Sequence, residues 1–364
     1  MSKITSIATH TPAYAHTQEK LFSFADAVYC SNPTESRKLK FLYRQSGIEK
    51  RYSVLPDFSV APAERTFFSP NADLEPFPSL EKRMNCFNEE SVKLSVKAVE
   101  DCINEKIKPS EITHLITVSC TGMSAPGLDL QIMEAMNLSP NLQRTSVNFM
   151  GCYAAIHGLK LAHAFCHTHP HAKVIVVCTE LCTLHFQKEI TLNNMMSSLL
   201  FSDGCAAMLV QNNSSQRGFN LTHFFSQVAF KGKSDMAWQL SGKGFLMTLT
   251  GYVPELIKED FDGLVSNALL SAGKKKEDIT HWCIHPGGKK ILQVIAESLH
   301  LKEEDLKHSY AILKDYGNMS SASIVFVLQK MMQELQENNA GNALVFGAAF
   351  GPGLTMETFM ALYD

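Results

Sequence analysis

The sequence predicts an α/β fold built twice from one plan, and three observations carry that expectation. Strand-like and helix-like stretches alternate along the chain. The run Val174 to Cys178 is apolar at every position, as in a strand whose sheet is covered on both faces. Finally, the order of segments recurs. Lys108-Pro-Ser-Glu-Ile-Thr-His114 returns as Lys275-Lys-Glu-Asp-Ile-Thr-His281, each leading into a strand and then a glycine-initiated helix. Gly151-Cys152 before one apolar helix returns as Gly317-Asn318 before another, and the strand at Val174 finds its counterpart at Ala343 to Gly347. The offsets agree, 167 from Ile112 to Ile279 and 166 from Cys152 to Asn318. Such a repeat is an internal duplication, with an N-terminal half over 1–218 and a C-terminal half over 219–364. In a pseudo-twofold fold Cys152 and Asn318 hold equivalent helix starts and are expected to face one another.

In chain order, Gln18 to Cys30 and Thr34 to Gln45 read as helices, the second basic through Arg37, Lys38, Lys40 and Arg44 and closed by Gly47. An irregular, proline-rich stretch follows from Pro56 to Pro78, then a helix from Glu89 to Lys106. Ile112 to Cys120 is a strand ending in the turn-forming Thr121-Gly122, and Pro126-Gly127 opens another helix. From Tyr153 to Cys166 nearly every face is apolar or small, so this helix is expected to be buried rather than amphipathic. In the second half the strand Ile279 to His285 precedes the turn His285-Pro286-Gly287-Gly288, and Ile324 to Met332 forms the second apolar helix.

Bulk properties exclude several classes. With 33 basic against 36 acidic residues the net charge is −3, which gives no electrostatic case for nucleic acid or an anionic membrane as partner. Met1 to Lys20 lacks the apolar core of a signal peptide, and no apolar run approaches transmembrane length, so a cytoplasmic protein without a membrane span is expected. The 10 cysteines are scattered, with Cys178 and Cys182 the only close pair and no CxxC spacing, which argues for reduced thiols and against zinc. His163, His167, His169 and His171 lack carboxylate or cysteine support and read as a surface loop rather than a metal site.

The chemistry gathers at three loops. Cys152 ends a strand-like run at the mouth of an apolar helix, where the peptide dipole favours a thiolate. A lone cysteine is more often a small buried hydrophobe, so partners are needed. His285 supplies an imidazole able to take the thiol proton, and the glycines Gly287 and Gly288 after it let a ligand chain lie against the backbone. Asn318 supplies a neutral donor that, with the imidazole N–H, makes an oxyanion hole for a thioester carbonyl or an enolate. Singly, His285 also reads as a strand-turn residue and Asn318 as a helix cap; together, at repeat-related positions, they read as a site.

These residues carry a family likeness. Gly151-Cys152-Tyr153-Ala154-Ala155, Ile284-His285-Pro286-Gly287-Gly288 and Tyr316-Gly317-Asn318-Met319-Ser320-Ser321 resemble the nucleophile, histidine and asparagine motifs of type III polyketide synthases, the chalcone-synthase-like branch of the thiolase superfamily. Ala349-Phe350-Gly351-Pro352-Gly353 is similar to the family's closing signature, with Ala349 where glycine is usual. Phe201 in Leu200-Phe201-Ser202-Asp203-Gly204 matches the gatekeeper phenylalanine, with Ser202 again replacing glycine, and Cys178 to Phe186 is closest to bacterial members. The resemblance spans the chain and implies a thiolase-like, layered αβαβα fold, a homodimer, and acyl-CoA and malonyl-CoA as substrates with no metal or organic cofactor. It puts Trp238, His185, Ser197, Cys120 and Met236 at a cavity wall. It also makes Arg37, Lys38 and Arg44 candidates for CoA phosphates, although Phe41 and Gln45 fall where basic residues are usual. The implied reaction is iterative decarboxylative condensation of malonyl-CoA onto a fatty acyl starter held as a Cys152 thioester, then closure to an alkylpyrone or alkylresorcinol. The alternatives are a malonyl-primed synthase of a small aromatic polyketide and a single-condensation enzyme of the ketoacyl synthase III type. A 3-hydroxy-3-methylglutaryl-CoA synthase and a non-catalytic acyl-CoA-binding paralogue fit the motifs less well.

Overall fold

The structure, a computed structural model, describes residues 2–212 and 215–364. The N-terminal part runs β1 (Ser2–His10), β2 (Tyr14–Thr17), α1 (Gln18–Tyr29), α2 (Pro33–Gln45), β3 (Lys50–Ser53), α3 (Leu80–Ile103) and β4 (His114–Ser119). It continues with α4 (Leu128–Ala135), β5 (Gln143–Asn148), α5 (Ala154–Thr168), β6 (Lys173–Leu181), α6 (Leu192–Leu200) and β7 (Asp203–Asn212). The C-terminal part has β8 (Phe219–Val228), β9 (Met236–Ser241), β10 (Gly244–Leu249), α7 (Val253–Ser271), β11 (His281–Ile284), α8 (Lys289–Ser298), α9 (Lys307–Tyr316), α10 (Ala322–Glu337), β12 (Ala343–Gly351) and β13 (Thr355–Tyr363).

Most of these boundaries follow local chemistry. Asn32 caps α2 through hydrogen bonds from Thr34 N and Glu35 N, with Pro33 at the first helical position. The helix expected from Glu89 starts instead at Leu80, because Ser79 accepts a hydrogen bond from Lys82 N and caps the helix at the end of the proline-rich stretch.

Nine strands hydrogen-bond in the order β11-β12-β13-β8-β1-β7-β6-β4-β5. The order is one pattern used twice. β4 runs parallel to β6, β6 antiparallel to β7 and β7 antiparallel to β1; β11, β12, β13 and β8 repeat these relations. The two sets meet where β1 and β8 pair at Lys3–Asn220 and Ile4–Phe219. The copies differ at one place, since β5 has no strand counterpart and α9 occupies that position in the second half.

Alternation along the strands makes the layers. Leu115, Ile175 and Val177 point to an outer core shared with Leu94, Ala98 and Val99 of α3. Ile116, Val118, Val174, Val176 and Cys178 point the other way, to an inner core with Ala155, Leu159 and Ala162 of α5 and Val325 and Leu328 of α10. β12 splits likewise: Val345 and Ala349 face the inner core, while Phe346 and Phe350 face Phe261 and Leu264 of α7. The result is helix, sheet, helix pair, sheet, helix: the thiolase-like αβαβα arrangement. α5 and α10 form the middle layer and are buried where they meet each other and the sheets, while His167 and Thr168 at the end of α5 and Lys330, Gln333 and Gln336 of α10 reach solvent. Lys160 and His157 of α5 both meet the buried carboxylate of Glu357.

Candidate active site

The middle layer brings the nucleophile motif and the asparagine motif to the same end of the molecule. Gly151 has φ +87°, and a Cβ there would lie 2.1 Å from Pro352 Cδ, so only glycine lets the chain pass under the Phe350-Gly351-Pro352-Gly353 loop. Its N–H donates to Cys120 Sγ at 2.8 Å, and its carbonyl accepts from Ala154 N at 3.0 Å to start α5. Cys152 therefore sits one residue before the helix cap, Tyr153. Asn318 is placed four residues before α10, farther from its helix than Cys152 is from α5. Its backbone is pinned by donation to Leu200 O at 3.0 Å and acceptance from Ser202 N at 2.9 Å. Its side chain is fixed too, Oδ1 accepting from Ser320 N at 2.9 Å and Nδ2 donating to Gly287 O at 3.3 Å. His285 follows β11 directly. It is 2% exposed, and neither ring nitrogen has a hydrogen-bond partner.

Cys152, His285 and Asn318 line one cavity, which encloses about 1220 Å³ with the open solvent at its mouth included. Phe201, Trp238, His185, Ser197 and Cys120 line it as well, as do Gly287, Met236 and Phe350. Two polar side chains in the wall are fully engaged. His185 donates from Nε2 to Thr121 O at 2.7 Å and accepts Phe245 N–H on Nδ1 at 3.0 Å, which fixes its neutral tautomer. Trp238 Nε1 donates to Cys120 O at 2.7 Å. Gly288 is outside the cavity and caps α8. Arg37, Lys38 and Arg44 do not reach it: they stand on the exposed face of α2, where Arg37 and Lys38 flank a shallow surface groove with Phe41.

Electrostatics correct one expectation. The helix mouth and His285 suggested a lowered thiol pKa, yet burial pushes Cys152 up to about 12, against the opposing pull of hydrogen bonds from Ser320 and Asn318. Burial likewise takes His285 down to about 3. Desolvation outweighs the dipole because Cys152 keeps only a small surface along the cavity. Each group alone rests neutral. A thiolate and imidazolium formed together would share that penalty, since the pair has no net charge.

Sequence reading missed Glu180, which is completely buried behind Cys152. Its carboxylate accepts from Cys120 N at 3.0 Å, Thr121 Oγ1 at 2.9 Å and Ser321 Oγ at 2.6 Å. The signal was present: an acidic residue inside an otherwise apolar strand is buried at a penalty unless it has such partners. Ser202, where glycine was expected, is explained by its hydroxyl, which accepts from Tyr52 N at 2.9 Å and donates to Tyr52 O at 3.0 Å. Of the four histidines expected in a surface loop, His163 and His167 lie instead in α5, their rings 4.2 Å apart, and only His169 and His171 follow the helix. No metal-holding cluster of histidine, cysteine and carboxylates is found among the described residues.

Comparison with known proteins gives the same answer as the geometry. The model of the chalcone and stilbene synthase N-terminal domain matches residues 1–214, and that of the C-terminal domain matches residues 221–362. The chain belongs to the chalcone and stilbene synthase family: it is a type III polyketide synthase, an acyl-transferring condensing enzyme. Among its relatives, the alpha-pyrone synthesis polyketide synthase-like Pks18 of Mycobacterium tuberculosis is 33% identical over 77% of this chain and 72% of that protein. A putative chalcone synthase of Bacillus subtilis is 29% identical over 100% of this chain and 99% of its own. The crystal structure of PKS-I from the brown alga Ectocarpus siliculosus superposes with a TM-score of 0.93 at 25% identity, covering 100% of this chain and 98% of that one. No helix among the described residues is long and apolar enough to cross a membrane.

Proposed function

We propose that this enzyme loads a fatty acyl group from acyl-CoA onto Cys152, extends it two or three times with malonyl-CoA, and closes the chain to an alkylpyrone or alkylresorcinol. The supporting observation is the meeting of Cys152, an unpartnered His285 imidazole and a braced Asn318 amide in one largely apolar cavity. The imidazole takes the thiol proton as sulfur attacks the acyl thioester, and the resulting imidazolium and the Asn318 amide hold the tetrahedral oxyanion while CoA departs. Malonyl-CoA then enters. Loss of CO₂ leaves an enolate whose oxygen the same two donors stabilise; its carbon attacks the acyl-Cys152 carbonyl and expels the Cys152 thiolate, and the lengthened chain, now on CoA, is passed back to Cys152 for the next round. No metal or organic cofactor is required.

An alkyl starter is favoured by the wall chemistry. Beyond Cys120 and Ser197 the cavity is bounded by Leu21, Phe58, Met247 and Leu249, and apolar lining with few polar groups suits a hydrocarbon chain. The Mycobacterium relative, named for alpha-pyrone synthesis, is consistent with that product class. The same proposal includes a cytoplasmic homodimer in which the half 1–218 contributes the nucleophile and the half 219–364 contributes His285 and Asn318. CoA phosphates would meet the basic face of α2 at Arg37, Lys38 and Arg44 only outside the cavity. Mass spectrometry of products from a panel of acyl-CoAs with malonyl-CoA tests the reading. Alkylpyrones or alkylresorcinols from long-chain starters are expected. Products formed from malonyl-CoA alone, or a single condensation, would replace it.

A further inference from the structure

Arg51, in β3, is 3% exposed, and no carboxylate among the described residues makes an ion pair with it. Its Nε donates to Gln18 Oε1 at 3.1 Å and its Nη1 to the Phe201 carbonyl at 2.5 Å, Nη2 makes no hydrogen bond of good geometry, and the Tyr43 hydroxyl lies close to the guanidinium. Asp203 acts on it only from a distance, because its oxygens are engaged by Val54 N, Thr183 N and Thr183 Oγ1. A buried guanidinium without a counter-ion is unfavourable, so its retention asks what it holds in place.

It holds the crossing that carries Asn318. Leu200 to Ser202 runs beside Asn318, joined by Asn318 N–H to Leu200 O and Ser202 N–H to Asn318 O. Arg51 grips one side of this crossing through the Phe201 carbonyl. Its methylenes fill the other side: a Cβ on Gly317, whose φ is +69°, would come within 2.8 Å of Arg51 Cγ and Cδ. The neighbouring Tyr52 is tied to Ser202 by both its N–H and its carbonyl. The crossing is thus clamped from β3, and both Phe201 and Asn318 look into the cavity from it.

We propose that Arg51 is a positioning residue for malonyl decarboxylation, setting the place of the Asn318 amide through the Phe201 carbonyl and Gly317. The inference rests on the role given to Asn318 above. Lysine cannot reproduce the clamp, because a single ammonium does not span Gln18 and Phe201 as the planar fork does.

The test uses malonyl-CoA decarboxylation by the Cys152→Ala enzyme, which cannot condense. Adding Arg51→Met is expected to lower kcat about 10-fold with KM within about 2-fold, as for a displaced catalytic donor, and Arg51→Lys to recover part of it. On an Asn318→Ala background Arg51→Met is expected to change the rate less than about 2-fold, since its route is already lost. A folded Arg51→Met enzyme at the parent rate, a rise in KM at constant kcat, or a loss repeated in full without Asn318 overturns the proposal. If Arg51→Met does not fold, Arg51→Lys decides alone: a loss of about 3-fold that vanishes without Asn318 supports it, and no loss or an undiminished one refutes it. A Cys152→Ala parent with no decarboxylation at all overturns the reading of the site itself, and Arg51 with it.

Discussion

Replacing Trp238 by glycine separates product size from chemistry, because the indole bounds the cavity without touching Cys152's partners. It stands edge-on to His185 at 5.6 Å and to Phe245 at 5.9 Å, both near 86°, and donates to Cys120 O. Truncating a core aromatic costs about 3–5 kcal/mol. Here one face already meets open space, so the void extends an existing cavity, and the transfer loss falls near about 3 kcal/mol. The unpaired Cys120 carbonyl adds about 1 kcal/mol, for a total near 4 kcal/mol. Trp238→Phe is the control: it keeps an aromatic ring, loses the pyrrole part of the indole with its hydrogen bond, and should cost about 2 kcal/mol. Urea unfolding measures both stabilities, and mass spectrometry measures chain length across several acyl-CoA starters. Trp238→Gly is expected to shift products toward longer polyketides, and Trp238→Phe to leave them unchanged. A folded Trp238→Gly enzyme with unaltered product lengths would refute the argument from volume.

Three other outcomes follow from the site. Cys152→Ala should abolish acyl transfer yet keep slow malonyl-CoA decarboxylation, whereas Asn318→Ala should lose most of it; wild-type decarboxylation without Asn318 contradicts its role. Iodoacetamide should label Cys152 at least about 10-fold more slowly at pH 8 in His285→Ala than in the parent, because a lone buried thiolate has no imidazolium to share its penalty; equal rates rule out the pair. Burial holds His185 down at about 3, so the unfolded chain takes up a proton below pH 6.5 that the folded one refuses. Its contribution is complete above pH 6.5 and is lost as pH falls toward 3, at about 1.4 kcal/mol per pH unit. Asp203, raised by burial to about 6, acts in the opposite sense from about pH 4 upward. Urea unfolding between pH 6 and pH 5 should therefore show a shallower acid slope in His185→Gln, and parallel slopes would exclude this.

The repeated pattern was readable because sequence similarity survives at strand and helix starts, whereas the αβαβα layers were expected from the family resemblance. Cys152, His285 and Asn318 were found through the same repeat, two of them being its equivalents. Two residues were not legible. Arg51 and Glu180 act through partners distant in the chain, Phe201 and Ser321, which no local pattern links to them. The thiol's resting state was misjudged for a related reason: a helix start is visible in sequence, but how completely the surrounding loops shut out water is not. Arg37, Lys38 and Arg44 show a limit of the opposite kind. A row of basic residues marks a helix face, and only packing shows that this face turns to solvent.

Glu180 has a consequence for how the two copies can drift apart. Its carboxylate ties the Cys120–Thr121 turn of the first copy to Ser321 of the second, across the middle layer. The inner core is shared between α5 and α10, yet apolar contacts of that kind tolerate substitution as long as volume is kept. At this seam, as at the Leu200–Asn318 crossing, the copies must stay in register to within a hydrogen bond, because three donors depend on two oxygens. The repeated pattern is thus broken by a rivet: a single side chain, with no counterpart required on the other side, fastens the two parts so that their different loops keep meeting at one point.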